Sequence, residues 1–122
     1  MVSRTLSIII VAYNNERLLR QCLQSIHAKT AATLAYEIIV VDNNSQDQTV
    51  AMLHKEFPAV TTIANPDNYG FARANNIGLK LATGKYLLLL NNDTVVLENS
   101  LETLVAYMDT HPAVGAVSPR LL

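Results

Sequence analysis

Cysteine occurs once, at Cys22, which excludes a disulfide framework and a cysteine-based zinc cluster. Charge is scarce: 16% of residues are charged, nine basic against ten acidic. With no basic excess to neutralise a phosphate backbone, nucleic acid is excluded as a partner. No apolar run approaches the roughly 18 residues needed to span a bilayer. The longest, Tyr86–Leu90 and Leu6–Ala12 (interrupted by Ser7), are strand-sized. The start, Met1-Val2-Ser3-Arg4, has neither the basic segment nor the apolar stretch of a signal peptide, so a cytoplasmic location is expected. Glycine is limited to Gly70, Gly78, Gly84 and Gly115. No Gly-x-Gly-x-x-Gly follows the first strand and no Walker lysine is present, so the dinucleotide fingerprint and the P-loop are both absent. His27, His54 and His111 share no metal-ligand spacing.

What is present is apolar and periodic. Half of the 122 residues are hydrophobic, enough for one domain that buries roughly two thirds of its unfolded surface. Leu6–Ala12 is β-branched and nearly unbroken in apolarity, as in a strand covered on both faces. Asn14 and Asn15 follow as turn and cap residues, and Leu18, Leu19, Cys22, Leu23 and Ile26 recur at helical spacing. Residues 37–41 open a second strand that ends at Asp42. Ser45 to Gln48 reads as a capping box for a helix with Val50, Leu53 and Phe57 on its core face, stopped by Pro58. Residues 60–64 predict a third strand and 65–70 a polar turn. Phe71, Ala74, Ile77, Gly78 and Leu81 mark a third helix, with Gly84 as its stop. Tyr86–Leu90 is a fourth strand. Leu101, Leu104, Val105 and Met108 form a fourth helix, begun near Asn99 and closed by His111-Pro112, and residues 113–117 predict a fifth strand. Alternation of strands and helices implies an α/β fold, an open and mainly parallel sheet with helices on both faces.

Eleven asparagines are unevenly spread. Tyr13-Asn14-Asn15, Asp42-Asn43-Asn44-Ser45, residues 65–70 and Asn91-Asn92-Asp93 each follow a strand. All four clusters therefore fall on one edge of the sheet, the edge that carries the ligand crevice in open α/β folds. Asparagine suits that edge because it tolerates strained turns and both donates and accepts. Asp42 and Asp93 end consecutive apolar runs. A carboxylate at such a place can accept from a base or ribose, as Asp42 would, or hold a divalent cation against phosphates, as Asp93 would. Two Asn-x-Ser/Thr sequons, at Asn43 and Asn92, read as fortuitous. A phosphoacceptor receiver domain also alternates β and α, but it needs an acidic pair after the first strand and a lysine after the fifth, and neither is here.

Four blocks, in order, carry a family resemblance. Ser7 to Asn14 with Leu18, Cys22, Leu23 and Ser25; Glu37 to Ser45 with Asp47 and Thr49; Asn68 to Ala72 through Asn76 and Gly78; and Gly84 to Leu90 running into Asn91-Asn92-Asp93 together resemble family 2 glycosyltransferases of the GT-A fold. The Asp-Asn-Asn-Ser and Asn-Asn-Asp wording is most similar to rhamnosyltransferase-like members. The resemblance covers nearly the whole chain and implies that residues 1–122 form the nucleotide-sugar-binding half of such a domain.

It also implies roles. Ala12, Tyr13 and Glu16 would border the base and ribose, Asp42 would accept from the base imide, and Asn44, Arg73, Asn76 and Asn92 would complete the nucleotide site. Asp93, with Asn91, would hold Mg²⁺ or Mn²⁺ as the family's DXD motif. Two positions depart from the pattern: Asn91 stands where many members carry Asp, and Asn75 where many carry Arg. The implied reaction is metal-dependent, inverting transfer of a sugar, rhamnose by the wording above, from a nucleotide diphosphate to a glycan or lipid-linked acceptor in envelope polysaccharide synthesis. The general base is expected beyond Leu122, so donor binding without transfer is expected of these residues alone. Residues 118–122 read as the run-in to more sheet, and membrane association is expected only of a longer chain. Self-association is expected to cover apolar surface that the other half of the domain would bury. The alternative is a non-catalytic nucleotide-binding or interaction module on the same fold.

Overall fold

β1 (Leu6–Ala12) is buried at all seven positions, as an all-apolar β-branched run demands. The structure, a computed structural model, describes residues 4–118. From β1 the chain continues through α1 (Glu16–Lys29), β2 (Tyr36–Asp42), α2 (Thr49–Glu56), β3 (Thr61–Ala64), α3 (Phe71–Leu81), β4 (Tyr86–Leu90) and α4 (Ser100–Thr110). Every pairing is parallel and the strand order is β3-β2-β1-β4.

That order dictates the layers. β1, β2 and β3 advance in one direction, so right-handed crossovers put α1 and α2 on one face; the return to β4, on the far side of β1, puts α3 on the other. Leu6, Ile8 and Ile10 of β1 share the larger core with Leu19, Leu23 and Ile26 of α1, Leu53 of α2, and Leu101 and Val105 of α4. On the opposite face Val11, Ile39 and Val41 meet Ala74 of α3, with Ile63 and Ile77 packed beside them. Sidedness is strict because successive strand residues point to opposite faces. In β4, Leu88 and Leu90 pack on the larger core. Leu87 and Leu89, in register with Ser7 and Ile9, lie on the α3 face and remain 54% and 51% exposed. Among the described residues no strand pairs with the outer edge of β4.

Four expectations are corrected. Residues 113–117 form no strand: the chain turns after α4, with the Val114 N–H donating to the His111 carbonyl at 2.9 Å, and most of the segment is exposed. A strand exists only through its partner, and this small-residue run with Gly115 at its centre finds none among the described residues. Ser45 does not cap α2, which begins at Thr49. Asp47 does that work, accepting from the Thr49 N–H at 3.0 Å, while the Ser45 hydroxyl donates to Asp42. Gly84 is not a left-handed helix stop either. α3 ends at Leu81 with extended Ala82 as its cap, and Gly84 is small because a Cβ there would meet the Ser7 backbone nitrogen at 2.7 Å. The third strand begins at Thr61 rather than at Val60, whose N–H closes a turn onto the Phe57 carbonyl at 3.0 Å. The run-in proposed for 118–122 and the first three residues of the chain lie outside the described residues, Ser118 excepted.

Candidate functional site

The strand order reverses between β1 and β4, and there the loops leaving the two strands diverge and open a crevice. A cleft of about 470 Å³ occupies it. Val11 lines it from β1 and Tyr13 from just after it, Asn43 from just after β2, Asn68 and Gly70 from the β3–α3 loop, Phe71 from the start of α3, and Asn91, Asn92 and Asp93 from the loop after β4. The lining is two aromatic rings, four amides and one carboxylate.

Amide hydrogen bonds shape these loops. The Asn43 side chain is nearly buried. It donates to the Gly70 carbonyl at 3.1 Å and accepts from the Asn65 amide at 3.0 Å, tying the end of β2 to the loop before α3. Gly70 sits at φ 83°, a left-handed conformation that glycine adopts without strain. Asn14 and Asn44 also have positive φ, 49° and 65°, which asparagine tolerates better than other side chains. The Asn14 Oδ1 accepts from the Gln46 N–H at 2.7 Å, and the Asn14 N–H donates to the Ser45 hydroxyl at 2.9 Å, so the loops after β1 and β2 are stitched together. The Thr94 N–H closes a turn onto the Asn91 carbonyl at 3.2 Å, leaving Asn92 and Asp93 at its corners. Beneath that turn the Cys22 thiol donates to the Asn91 carbonyl at 3.8 Å. Burial, with the nearby Asp93 charge second, pushes this thiol up to about 11, so it stays protonated at neutral pH.

Of the ten residues singled out from the sequence, Tyr13, Asn91, Asn92 and Asp93 converge on the cleft. The other six do not line it. Ala12 is fully buried behind it. Asp42 is 1% exposed, and its two oxygens accept from the Ser45 hydroxyl at 2.5 Å and the Ser45 N–H at 2.9 Å. Glu16 pairs with Arg20 at 3.0 Å. Asn44 and Asn76 are exposed. Arg73 lies on the outer surface of α3 with its guanidinium 4.0 Å from the Tyr69 ring centre. Asn43 and Asn68 belong to the polar clusters that the sequence puts on this edge but receive no individual role there, and Phe71 reads from the sequence only as a helix-face residue. The signal for Asn43 is parity: in β2 Asp42 turns its side chain inward to the Ser45 bonds, so the next residue faces the other way.

Among the described residues no group of three His, Cys, Asp or Glu side chains stands close enough to hold a metal ion. Asp93 is the one carboxylate of the cleft. It is exposed, and no hydrogen bond or ion pair within the described residues occupies its carboxylate. This donor set suits Mg²⁺ or Mn²⁺ only where phosphate oxygens and water complete the shell, as one carboxylate plus substrate phosphates does for Mg²⁺. Among the described residues, no helix is long and apolar enough to cross a membrane.

Residues 7–121 match the family model described as Glycosyl transferase family 2. An uncharacterized glycosyltransferase of Haemophilus influenzae is 30% identical over 92% of this chain and 37% of its own length. The Staphylococcus aureus poly(ribitol-phosphate) beta-N-acetylglucosaminyltransferase TarS is 26% identical over 86% of this chain and 19% of its own. The crystal structure of TarS 1-349 superposes with a TM-score of 0.80 at 24% identity, covering 95% of this chain and 38% of that one, and TarS has also been solved in complex with UDP and with UDP-GlcNAc. The chain thus spans a little over a third of the length of the first of these relatives, and the likeness establishes the fold as the GT-A type. By its match over nearly its whole length, the chain belongs to glycosyl transferase family 2.

Proposed function

We propose that the chain is the donor-binding part of a glycosyltransferase that moves a sugar from a nucleotide diphosphate to a glycan or lipid-linked acceptor. The observation that carries this reading is the cleft at the β1/β4 switch point, whose single carboxylate, Asp93, stands at the end of β4. Family membership and the UDP and UDP-GlcNAc complexes of TarS support a uridine diphosphate sugar as the first donor to test, with dTDP-rhamnose as the second. The names of relatives, among them the Bacillus subtilis minor teichoic acid biosynthesis protein GgaB, support an acceptor in the cell envelope.

In this reading Tyr13 and Phe71 offer ring faces to the base, the exposed Asn68 amide offers a donor to ribose and phosphate, the buried Asn43 amide holds the loop before α3, and Asp93, seconded by Asn91, would hold Mg²⁺ or Mn²⁺. Bound there, a divalent ion would offset the charge that develops on the departing diphosphate. The residues around it orient the donor and hold the turn in place. Ala12, Glu16, Asp42, Asn44, Arg73 and Asn76 lie outside the cleft lining, so no contact with the donor is assigned to them. Inversion needs a base on the acceptor hydroxyl, and among the described residues Asp93 is the only carboxylate lining the cleft. That observation also favours the second reading, a non-catalytic nucleotide-binding module.

Calorimetry of UDP, dTDP and GDP with Mn²⁺, on wild type and Asp93→Ala, tests the proposal. Metal-dependent diphosphate binding that falls about 10- to 100-fold in the variant is expected, the range for losing a metal-site partner. A folded protein without such binding would refute it. Sugar transfer by these residues would exclude the module.

A further inference from the structure

The sequence invites Asn92 to be a nucleotide ligand, but its side chain is already engaged inside the protein. Its Nδ2 donates to the Val11 carbonyl at 2.8 Å, and its Oδ1 accepts from the Asn15 amide at 2.6 Å. The Val11 bond has a clear origin. β1 and β4 run in register from Leu6↔Tyr86 to Ile10↔Leu90 and no further. The Ala12 carbonyl turns to β2, where it accepts from the Asn43 N–H at 2.9 Å. Backbone groups alternate in direction along a strand, so the Val11 carbonyl faces the β4 side just where β4 has ended. The Asn92 side chain supplies the missing rung. The Asn15 bond is equally telling. Asn15 is the N-cap of α1, yet makes no side-chain cap bond, although capping is the usual role of asparagine at that position. Its amide is spent on a residue 77 positions away.

We propose that Asn92 is a positioning residue. It pins one corner of the Asn91–Thr94 turn to β1 and α1 so that the other corner, Asp93, is presented to the diphosphate and its metal. This inference rests on the donor-site reading above. An amide fits where an ionised carboxylate does not: the position must donate to a carbonyl and accept from an amide at once. Asn15 does not line the cleft, so it can influence a ligand only through Asn92.

The test uses the whole chain with Asn15→Ala, Asn92→Ala, Asn92→Asp and the Asn15→Ala/Asn92→Ala double variant. UDP affinity is measured with and without Mn²⁺, and hydrogen exchange is followed at the amides of residues 91–94 without any ligand. Each single variant is expected to speed exchange in the turn and to lower Mn²⁺-dependent UDP affinity by about tenfold, the size of losing a residue that orients a metal ligand. Metal-free UDP affinity should hold within about twofold, and the double variant should be no worse than either single because the two residues act as one unit. Wild-type affinity in Asn92→Asp would show direct acceptance from the ligand and overturn the proposal, as would an Asn15→Ala variant silent in both readouts. If Asn92→Ala does not fold, Asn15→Ala alone carries the test. Absence of Mn²⁺-dependent UDP binding in wild type would instead sink the donor-site reading and this inference with it. Exchange in the turn would then report the latch as structural only.

Discussion

Ser7, near the start of the most buried strand, donates its hydroxyl proton to the Glu37 carboxylate across the β1–β2 pair at 2.6 Å. The same hydroxyl accepts from the Gly84 N–H at 2.8 Å, and Glu37 also accepts from the Thr83 N–H at 2.7 Å and the Thr83 hydroxyl at 2.8 Å. One buried serine thus joins β1, β2 and the entry to β4 at the end of the sheet opposite the cleft. It explains how a polar residue is kept in an otherwise apolar run.

This cluster predicts a pH dependence. Burial pushes the Glu37 carboxyl up, but the bonds from Ser7 and Thr83 and the nearby Arg4 charge outweigh it and hold the group below its ordinary value. The folded state therefore binds the Glu37 proton more weakly than the unfolded chain. Its stabilisation is present above the unfolded value, about 4.3, and is lost as pH falls through the lower folded value. Glu37→Gln should cost about 2 kcal/mol at pH 7 and should flatten the acid limb of a stability-versus-pH curve measured by urea unfolding. An unchanged acid limb would exclude Glu37 as its source.

Gly84→Ala should destabilise without touching the cleft. The added Cβ meets the Ser7 nitrogen at 2.7 Å and the Leu6 carbonyl carbon at 2.8 Å, both backbone atoms that a rotamer change cannot move. A loss of about 1–3 kcal/mol follows, read as a lower Tm, with nucleotide affinity retained at temperatures where the variant is folded.

Asn43→Ala should affect stability and binding together. It leaves the Gly70 carbonyl and the Asn65 amide without their partner, at a cost of about 1–3 kcal/mol. It also frees the loop that brings Gly70 and Phe71 to the cleft. Thermal unfolding and UDP calorimetry on one sample check both parts. Loss of stability with unaltered affinity would remove Asn43 from the site's support.

Leu89→Lys should be nearly neutral for folding, within about 0.5 kcal/mol, because the side chain is half exposed. Together with Leu87 it forms an apolar strip beside the edge of β4 that no described strand pairs, a combination that favours strand-to-strand association. Sedimentation velocity should find self-association of wild type reduced in Leu89→Lys; identical profiles would place any association elsewhere.

The four strands, four helices and the polar edge could be read from residue order because each signal is local. Leu6–Ala12 announces a buried strand by composition alone, and α1 by the spacing of Leu19, Cys22, Leu23 and Ile26. Strand order, the bare edge of β4 and the division of labour among the asparagines are non-local. Asn92 has the same chemistry as Asn91, and only the end of the β1–β4 register gives it a carbonyl to hold. Asp42 and Asp93 both close apolar runs, yet one is sealed by Ser45 three residues on and the other stands at an open cleft. The missing fifth strand follows the same physics: an extended run becomes a strand only when an edge receives it. Local periodicity decides which elements form, because propensity and amphipathicity act over a few residues. Which amide becomes a latch and which carboxylate meets solvent depends on long-range pairing, because those partners are tens of residues apart.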